Sequence, residues 1–203
     1  MASVSGVLLA AGSSERMGFP KQLIQIGKEP LIRRTARIAL EVFPLTVILG
    51  YKSEECRAAL AGLDLALLQN PNWQEGIASS IRLGVKKSDE AGAQAVLLMV
   101  VDQYRIDTKI LQTLAAEFNG ETDRVIAAAY SEVLGTPVLF GSSWFQELLC
   151  LSGDQGARRL IKRANNLISV PWPNGAMDLD TVSDLQKFSS SNVPPVGNEQ
   201  PVQ

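Results

Sequence analysis

The chain has 203 residues, 46% hydrophobic and 20% charged, the composition of a folded globular protein long enough for one sizeable core or two small ones. Nineteen basic against 21 acidic residues leave a formal charge of −2, so the balance draws the chain neither to nucleic acid nor to an anionic membrane. Histidine is absent, which excludes a Ser-His-Asp triad, a histidine base and a histidine metal site.

Residues 4–11, V-S-G-V-L-L-A-A, read as a short buried strand running into a glycine-containing turn. Residues 30–42 carry Leu31, Thr35, Ile38 and Val42 at three- and four-residue spacing behind a proline, the pattern of a helix. Arg33, Arg34 and Arg37 on it have no interleaved aromatics and read as a solvated face, not a nucleic-acid contact. A strand is expected over 45–49, then a helix over 53–60 capped by Ser53 and stopped at Gly62, with Cys56 inside it. Strands over 63–68 and 95–101 and helices over 77–87 and 107–118 complete four strand-helix units. The run 95–101 is wholly apolar, as a strand covered on both faces should be, and far shorter than the roughly 20 residues that cross a bilayer.

The second half alternates less cleanly. Strands are expected over 124–130, 137–140 and 167–170, helices over 142–151 and 155–164, and turns at Asn119-Gly120 and Gly135-Thr136-Pro137. Trp144 and Phe145 read as core residues, with a partner surface as the alternative. Crossover helices of this length imply parallel pairing, hence one three-layer α/β domain over 1–188, with 189–203 as a disordered tail. Cys56 and Cys150 lack ligand spacing and read as ordinary thiols of a reducing compartment; with no secretory pattern at the start, a cytoplasmic protein without a membrane partner is expected.

The sharpest local feature is L-A-A-G-S-S-E-R-M-G-F-P-K, residues 9–21, where a buried strand should end. Gly12 and Gly18 allow turns that bulky residues do not, and Ser13 and Ser14 add small hydroxyls. Arg16 offers a planar fork and Lys21 a mobile charge for phosphate oxygens. The spacing matches neither a Walker loop nor a dinucleotide fingerprint, so the choice lies between an anion nest and a plain glycine turn bearing two cations.

Asp102 ends the apolar run at the carboxyl edge of its strand, where ligands of open parallel sheets gather. It could hold Mg²⁺ against a polyphosphate or cap the next turn, and Gln103 beside it could donate to a ligand or face solvent. In 177–185, Asp178 or Asp180 could complete the metal shell, while Thr181 and Asp184 suit a capping box. Residues 70–81, N-P-N-W-Q-E-G-I-A-S-S-I, turn into a helix whose start carries Ser79 and Ser80 and could attract an anion or a polar ring. Residues 151–159 make a glycine turn into a basic helix, with Arg158 either reaching a phosphate or solvated.

These features point to nucleotidyl transfer. A phosphorylated second substrate would attack the α-phosphorus of a nucleoside triphosphate in line, forming a new P–O bond and releasing pyrophosphate. A phosphate monoester is already largely ionised at neutral pH and needs no protein base, which suits a chain without histidine.

The 9–21 block resembles the signature of MobA-like nucleotidyltransferases. Together with 70–81, V-D-Q (101–103), G-T-P-V-L-F (135–140), G-D-Q-G-A-R (153–158) and D-L-D-T (178–181), it is most similar to molybdenum cofactor cytidylyltransferases and the xanthine dehydrogenase accessory proteins of purine catabolism. The resemblance implies a Rossmann-like three-layer nucleotidyltransferase fold. It implies CMP transfer from CTP to the terminal phosphate of molybdopterin cofactor, with Mg²⁺ and possible transient contact with xanthine dehydrogenase. Ala11, Gly12, Ser13, Ser14, Arg16 and Lys21 would bind the nucleotide, with Ser79, Ser80 and Gln103 nearby. Arg16, Lys21 and Asp102 would be the catalytic set, Asp102 and Asp180 the metal ligands, and Asp154, Gly156 and Arg158 the second-substrate side.

Cytidine is expected because guanylyl-transferring relatives more often show L-A-G-G where this chain has L-A-A-G. Relatives also often read D-Q-P and G-H-P where this chain has Asp102-Gln103-Tyr104 and Gly135-Thr136-Pro137. The alternatives are guanylyl transfer to the same cofactor, a sugar- or polyol-phosphate nucleotidyltransferase, and a non-catalytic cofactor chaperone docking through an exposed helix over 144–151.

Overall fold

A computed structural model describes residues 3–14 and 18–177. Its scaffold is a seven-stranded sheet in the order β5-β4-β1-β6-β8-β7-β9. These strands are β1 (Val4–Ala10), β4 (Leu45–Leu49), β5 (Ala66–Gln69), β6 (Ala95–Val100), β7 (Val125–Tyr130), β8 (Val133–Gly141) and β9 (Leu167–Pro171). The pairings β1·β4, β1·β6, β4·β5 and β7·β9 are parallel, while β8 is antiparallel to β6 and β7. A small hairpin, β2 (Gln25–Ile26) with β3 (Glu29–Pro30), stands apart.

Period-two alternation divides the core. Leu8 and Ala10 of β1 and Leu97 and Met99 of β6 pack on one face, with helices α1 (Leu31–Leu40), α2 (Ser53–Ala59) and α4 (Thr108–Ala116). Val7, Leu9, Val96 and Leu98 pack on the other, with α3 (Ile77–Glu90), α5 (Phe145–Leu149) and α6 (Arg158–Arg163). Three layers follow, as a strand with no polar alternation requires. The mostly parallel sheet and Rossmann-like arrangement agree with the sequence expectation.

The chain winds from β1 through β4 to β5 on one side, then crosses by α3 to place β6 on the other side of β1. That reversal leaves a crevice between the carboxyl ends of β1 and β6, whose register pairs Leu9 with Val100. The turns beginning at Ala11 and at Val101 therefore leave the sheet side by side.

Several local expectations are corrected. Ser53 is not the cap of α2: Lys52 occupies that position with φ 54°, and no side chain caps the helix. Gly135, Thr136 and Pro137 are not a turn but lie within β8, beside a register shift between Ala127 and Ala128 of β7. Helix α6 begins only at Arg158, and residues 142–144 form a 3-10 turn ahead of α5.

The arginines of α1 are not a solvated face. Arg33 donates to the carbonyls of Ala59 and Ala61, Arg34 to those of Tyr104 and Ile106, and Arg37 pairs with Glu29. Phe145 and Leu148 are buried, and the Trp144 indole packs on Phe140 and donates to Asp123 O at 2.7 Å. The apolar side of the 144–151 segment is thus spent on the core, while Gln146 and Cys150 on its other side are exposed.

Cys56 and Cys150 are free thiols, and burial pushes the Cys56 thiol up to about 11. No helix among the described residues is long and apolar enough to cross a membrane.

Candidate active site

A cleft of about 660 Å³ opens at the crevice between β1 and β6. The first turn gives it Ala11, Gly12, Ser13, Ser14, Lys21 and Gln22; the end of β6 gives it Val101 and Asp102. The start of α3 adds Trp73, Gly76, Ile77 and Ser80, and the loop before α6 adds Asp154. Segments that the sequence separates by more than a hundred positions thus share one cavity.

The first turn is held by side chains, not by glycine strain. Gln22, 1% exposed, donates through Nε2 to the carbonyls of Ala10 at 3.0 Å and Gly12 at 2.7 Å. Ser14 takes the left-handed conformation at φ 58°, and its Oγ accepts from the Lys21 backbone N–H at 3.2 Å. Gly18 has positive φ, as the turn requires, but Gly12 does not. A Cβ on Gly12 would meet no atom within 4 Å, so its missing side chain leaves open room in the cavity.

Asp102 stands across from this turn. Its Oδ2 accepts from Lys21 Nζ at 2.5 Å, with both side chains about one-fifth exposed (17% and 21%). Its Oδ1 is buried and has no hydrogen-bond partner among the described residues. Arg34 fixes the backbone that follows through the carbonyls of Tyr104 and Ile106. Among the described residues no three acidic, cysteine or histidine side chains gather around a metal position. The donor set at hand is one carboxylate with a spare oxygen. That fits a hard cation such as Mg²⁺, which binds through one or two carboxylates and takes its remaining ligands from phosphates and water.

The α3 side is organised by Asn70, a 3% exposed residue at the end of β5. Its Nδ2 donates to Ser79 Oγ at 2.8 Å and Ser80 Oγ at 3.0 Å, while its Oδ1 accepts from Asn72 N. Ser79 donates onward to Gly76 O, so only Ser80 of the two lines the cavity. The Trp73 ring forms a wall, backed by Tyr51 at 5.8 Å between centroids.

Besides Ser79, three expected site residues stand away from the lining. Gln103 is 2% exposed, and its Nε2 faces Thr136 O at 2.8 Å, Tyr130 OH at 3.3 Å and Gly175 O at 3.4 Å. It ties the turn after β6 to β8 and to the 173–176 segment instead of presenting its amide to the cavity, and one of its acceptors is the backbone of Thr136. Gly156 and Arg158 also do not line the cleft, and Arg158 is exposed at the start of α6. Arg16 and Asp180, with Asp178, Thr181, Asp184 and the tail, lie outside the described residues. Gln22 and Asn70 are the residues that sequence reasoning missed. Their only signal was a polar side chain beside a motif, and their partners are carbonyls and hydroxyls that no spacing rule marks.

Comparison with known proteins places this geometry. Purine catabolism protein PucB of Bacillus subtilis (strain 168) is 26% identical over 166 residues, covering 77% of this chain and 80% of that protein. Molybdenum cofactor guanylyltransferase of Rhodobacter capsulatus is 23% identical over 194 residues, covering 91% of this chain and 94% of that protein. The crystal structure of Rv0371c from Mycobacterium tuberculosis H37Rv, a complex with manganese, is similar with a TM-score of 0.73 at 25% identity, covering 94% of this chain and 100% of that one. Over residues 6–167 the sequence matches the MobA-like NTP transferase domain, and the chain belongs to that family.

Proposed function

We propose that the chain is a cytoplasmic nucleotidyltransferase that transfers CMP from CTP to the terminal phosphate of molybdopterin-type cofactor, releasing pyrophosphate. The acceptor enzyme would be a molybdenum hydroxylase such as xanthine dehydrogenase. The observation that carries this reading is the meeting of Lys21 and Asp102, 2.5 Å apart, at the mouth of a cleft floored by the glycine-serine turn after β1. A cation on a flexible stem and a carboxylate with a spare oxygen are what a metal-bound triphosphate needs at a sheet edge.

In this reading Ser13, Ser14 and Lys21 bind phosphate oxygens, and Arg16 adds a planar guanidinium. Asp102 holds Mg²⁺, with Asp180 as a second carboxylate. The bound ion supplies neutralisation of the triphosphate charge. Lys21 moves its ammonium from Asp102 onto a phosphate oxygen, and the Gln22-braced turn fixes the α-phosphorus for in-line attack. The attacking phosphate is already ionised, so no side chain has to take a proton. Trp73 and Ser80 line the cleft and would face the nucleoside.

The choice of CTP is supported by Ala11, which lines the cleft at 5% exposure and reduces the room where L-A-G-G relatives carry a glycine. Molybdenum cofactor guanylyltransferase is among the relatives, so GTP is the competing donor to test. Incubation with CTP or GTP, Mg²⁺ and molybdenum cofactor should yield pyrophosphate and a dinucleotide cofactor, faster with CTP. Asp102→Asn, still folded, should lose turnover. Tight cofactor binding with no pyrophosphate from any triphosphate would overturn the proposal in favour of a carrier.

A further inference from the structure

The two ends of the cleft differ in chemistry. The Lys21 end holds the Lys21–Asp102 ion pair, whereas the α3 end is covered by the loop at 151–156 and carries Asp154. Gly153 O accepts from Ala78 N at 3.1 Å, so an N–H group that the start of α3 would otherwise offer to an anion is occupied. Gly76 sits at φ 118°, and a Cβ there would collide with Asp154 Oδ1 and the Gly153 backbone. The loop and the helix start are therefore in direct contact. The Asp154 carboxylate lines the cleft and accepts no hydrogen bond from the described residues.

Charged side chains hold that loop in place. Arg82 Nη1 and Nη2 donate to the two Glu75 oxygens at 2.7 and 2.6 Å, and Nη1 also donates to Leu151 O at 2.7 Å. Glu75 Oε1 in turn accepts from Gly153 N at 3.4 Å. One guanidinium thus binds the 3-10 turn before α3 and the beginning of the loop, a geometry that a planar fork makes and an ammonium does not.

We propose that the Glu75–Arg82 pair is a positioning device that holds the 151–156 loop on α3 and presents Asp154 as the acceptor for neutral hydrogen-bond donors on a ligand in the cleft. An ionised carboxylate accepts and never donates, and it repels phosphate. Its partners are hydroxyl or amino groups on the uncharged part of the ligand. Given the nucleotidyl-transfer reading, on which this ligand assignment rests, those groups belong either to the nucleoside or to the second substrate.

The test has two arms and one readout independent of ligand. Nucleotide affinity is titrated with CTP, GTP and their 2′- and 3′-deoxy forms, and the acceptor's KM is measured with molybdenum cofactor, for the unaltered protein and for Asp154→Ala, Arg82→Met, Arg82→Lys and Asp154→Ala/Arg82→Met. Asp154→Ala should cost about tenfold on one of the two ligands, the loss of a charge-assisted hydrogen bond. Arg82→Met should cost the same ligand a similar factor, and the double variant no more. A nucleoside source is read from deoxy forms that no longer distinguish Asp154→Ala from the unaltered protein; an acceptor source appears as raised KM with nucleotide affinity unchanged. Hydrogen exchange of the Ala78 and Gly153 amides should speed by about tenfold in Arg82→Met and be only partly restored by lysine. Unchanged exchange overturns the clamp, and unchanged affinity for both ligands overturns the acceptor role. Failure of the unaltered protein to bind any triphosphate overturns the proposed function itself, while the exchange result still decides the clamp.

Discussion

Lys21 Nζ lies 2.5 Å from Asp102 Oδ2, while Asp102 Oδ1 is buried without a partner among the described residues. The ammonium thus engages one oxygen of a carboxylate whose other oxygen could bind a cation. Lys21→Met should destabilise the fold by about 1–3 kcal/mol, because a mostly buried carboxylate loses its only charge partner among the described residues. The double variant Lys21→Met/Asp102→Asn should recover most of that loss. Compared with the unaltered protein, affinity for Mn²⁺ alone should tighten in Lys21→Met and vanish in Asp102→Asn. Equal Mn²⁺ affinity across all three proteins would separate the pair from metal binding.

Gln22 supports the first turn from beneath with both hydrogens of its amide, on Ala10 O and Gly12 O. Gln22→Glu places a carboxylate against two carbonyls and cannot donate, so denaturation should show a loss of about 1–3 kcal/mol. Gln22→Met, which adds no charge but leaves both carbonyls bare, should cost less than the glutamate variant. Triphosphate affinity should fall in the same order, since the turn that Gln22 braces is the one that lines the cleft.

Ala11 lines the cleft, and a Cβ built on Gly50 would come within 2.8 Å of the Ala11 Cβ. Its carbonyl is held by Tyr51 N at 3.0 Å, so the methyl cannot swing aside without breaking that bond. Ala11→Gly removes the methyl and widens the floor for a purine. The ratio of kcat/KM for CTP over GTP should drop by about tenfold, the range expected for one methyl group in a shaped pocket. An unchanged ratio would move base selection elsewhere in the cleft.

The sheet was legible because its strands announce themselves. Residues 95–101 are a continuous apolar run and 45–49 are broken only by Thr46, and an acid ending such a run, as Asp102 does, is expected at a strand's carboxyl edge. The Gln25–Ile26 and Glu29–Pro30 hairpin was missed because two-residue strands carry no periodicity. Gly135-Thr136-Pro137 was misread because glycine and proline usually punctuate, whereas here they sit in a strand beside a register shift. Within the cleft, the lining residues Gly12, Ser13, Lys21 and Asp102 were singled out by chemistry and position. The residues that hold them in place were not. Gln22 answers backbone carbonyls, Asn70 answers two serine hydroxyls, and Arg82 answers a carbonyl 69 positions away. Such contacts depend on tertiary approach, to which local propensity is blind. Gln103 shows the converse: adjacent to Asp102 in sequence, it turns into a different set of partners.

The Glu75–Arg82 clamp carries its own pH signature. The Arg82 hydrogen bonds hold the Glu75 carboxyl below the ordinary glutamate range, against a smaller opposing effect of burial, with the Gly153 N–H adding to the lowering. A carboxyl lowered in the folded state contributes stability that is present above its unfolded pKa and is lost as pH falls through the folded value. Loop protection should therefore persist from neutrality through the ordinary glutamate range and give way only below it. Amide exchange at Gly153 and Ala78, corrected for intrinsic rates, should report this directly, together with a carboxyl titration of Glu75 by NMR. In Glu75→Gln the acid-induced opening should disappear, because the group that titrates is gone, and the loop should be less protected at every pH. An opening midpoint at or above the ordinary glutamate value would show that the arginine does not bind Glu75 preferentially in its ionised form.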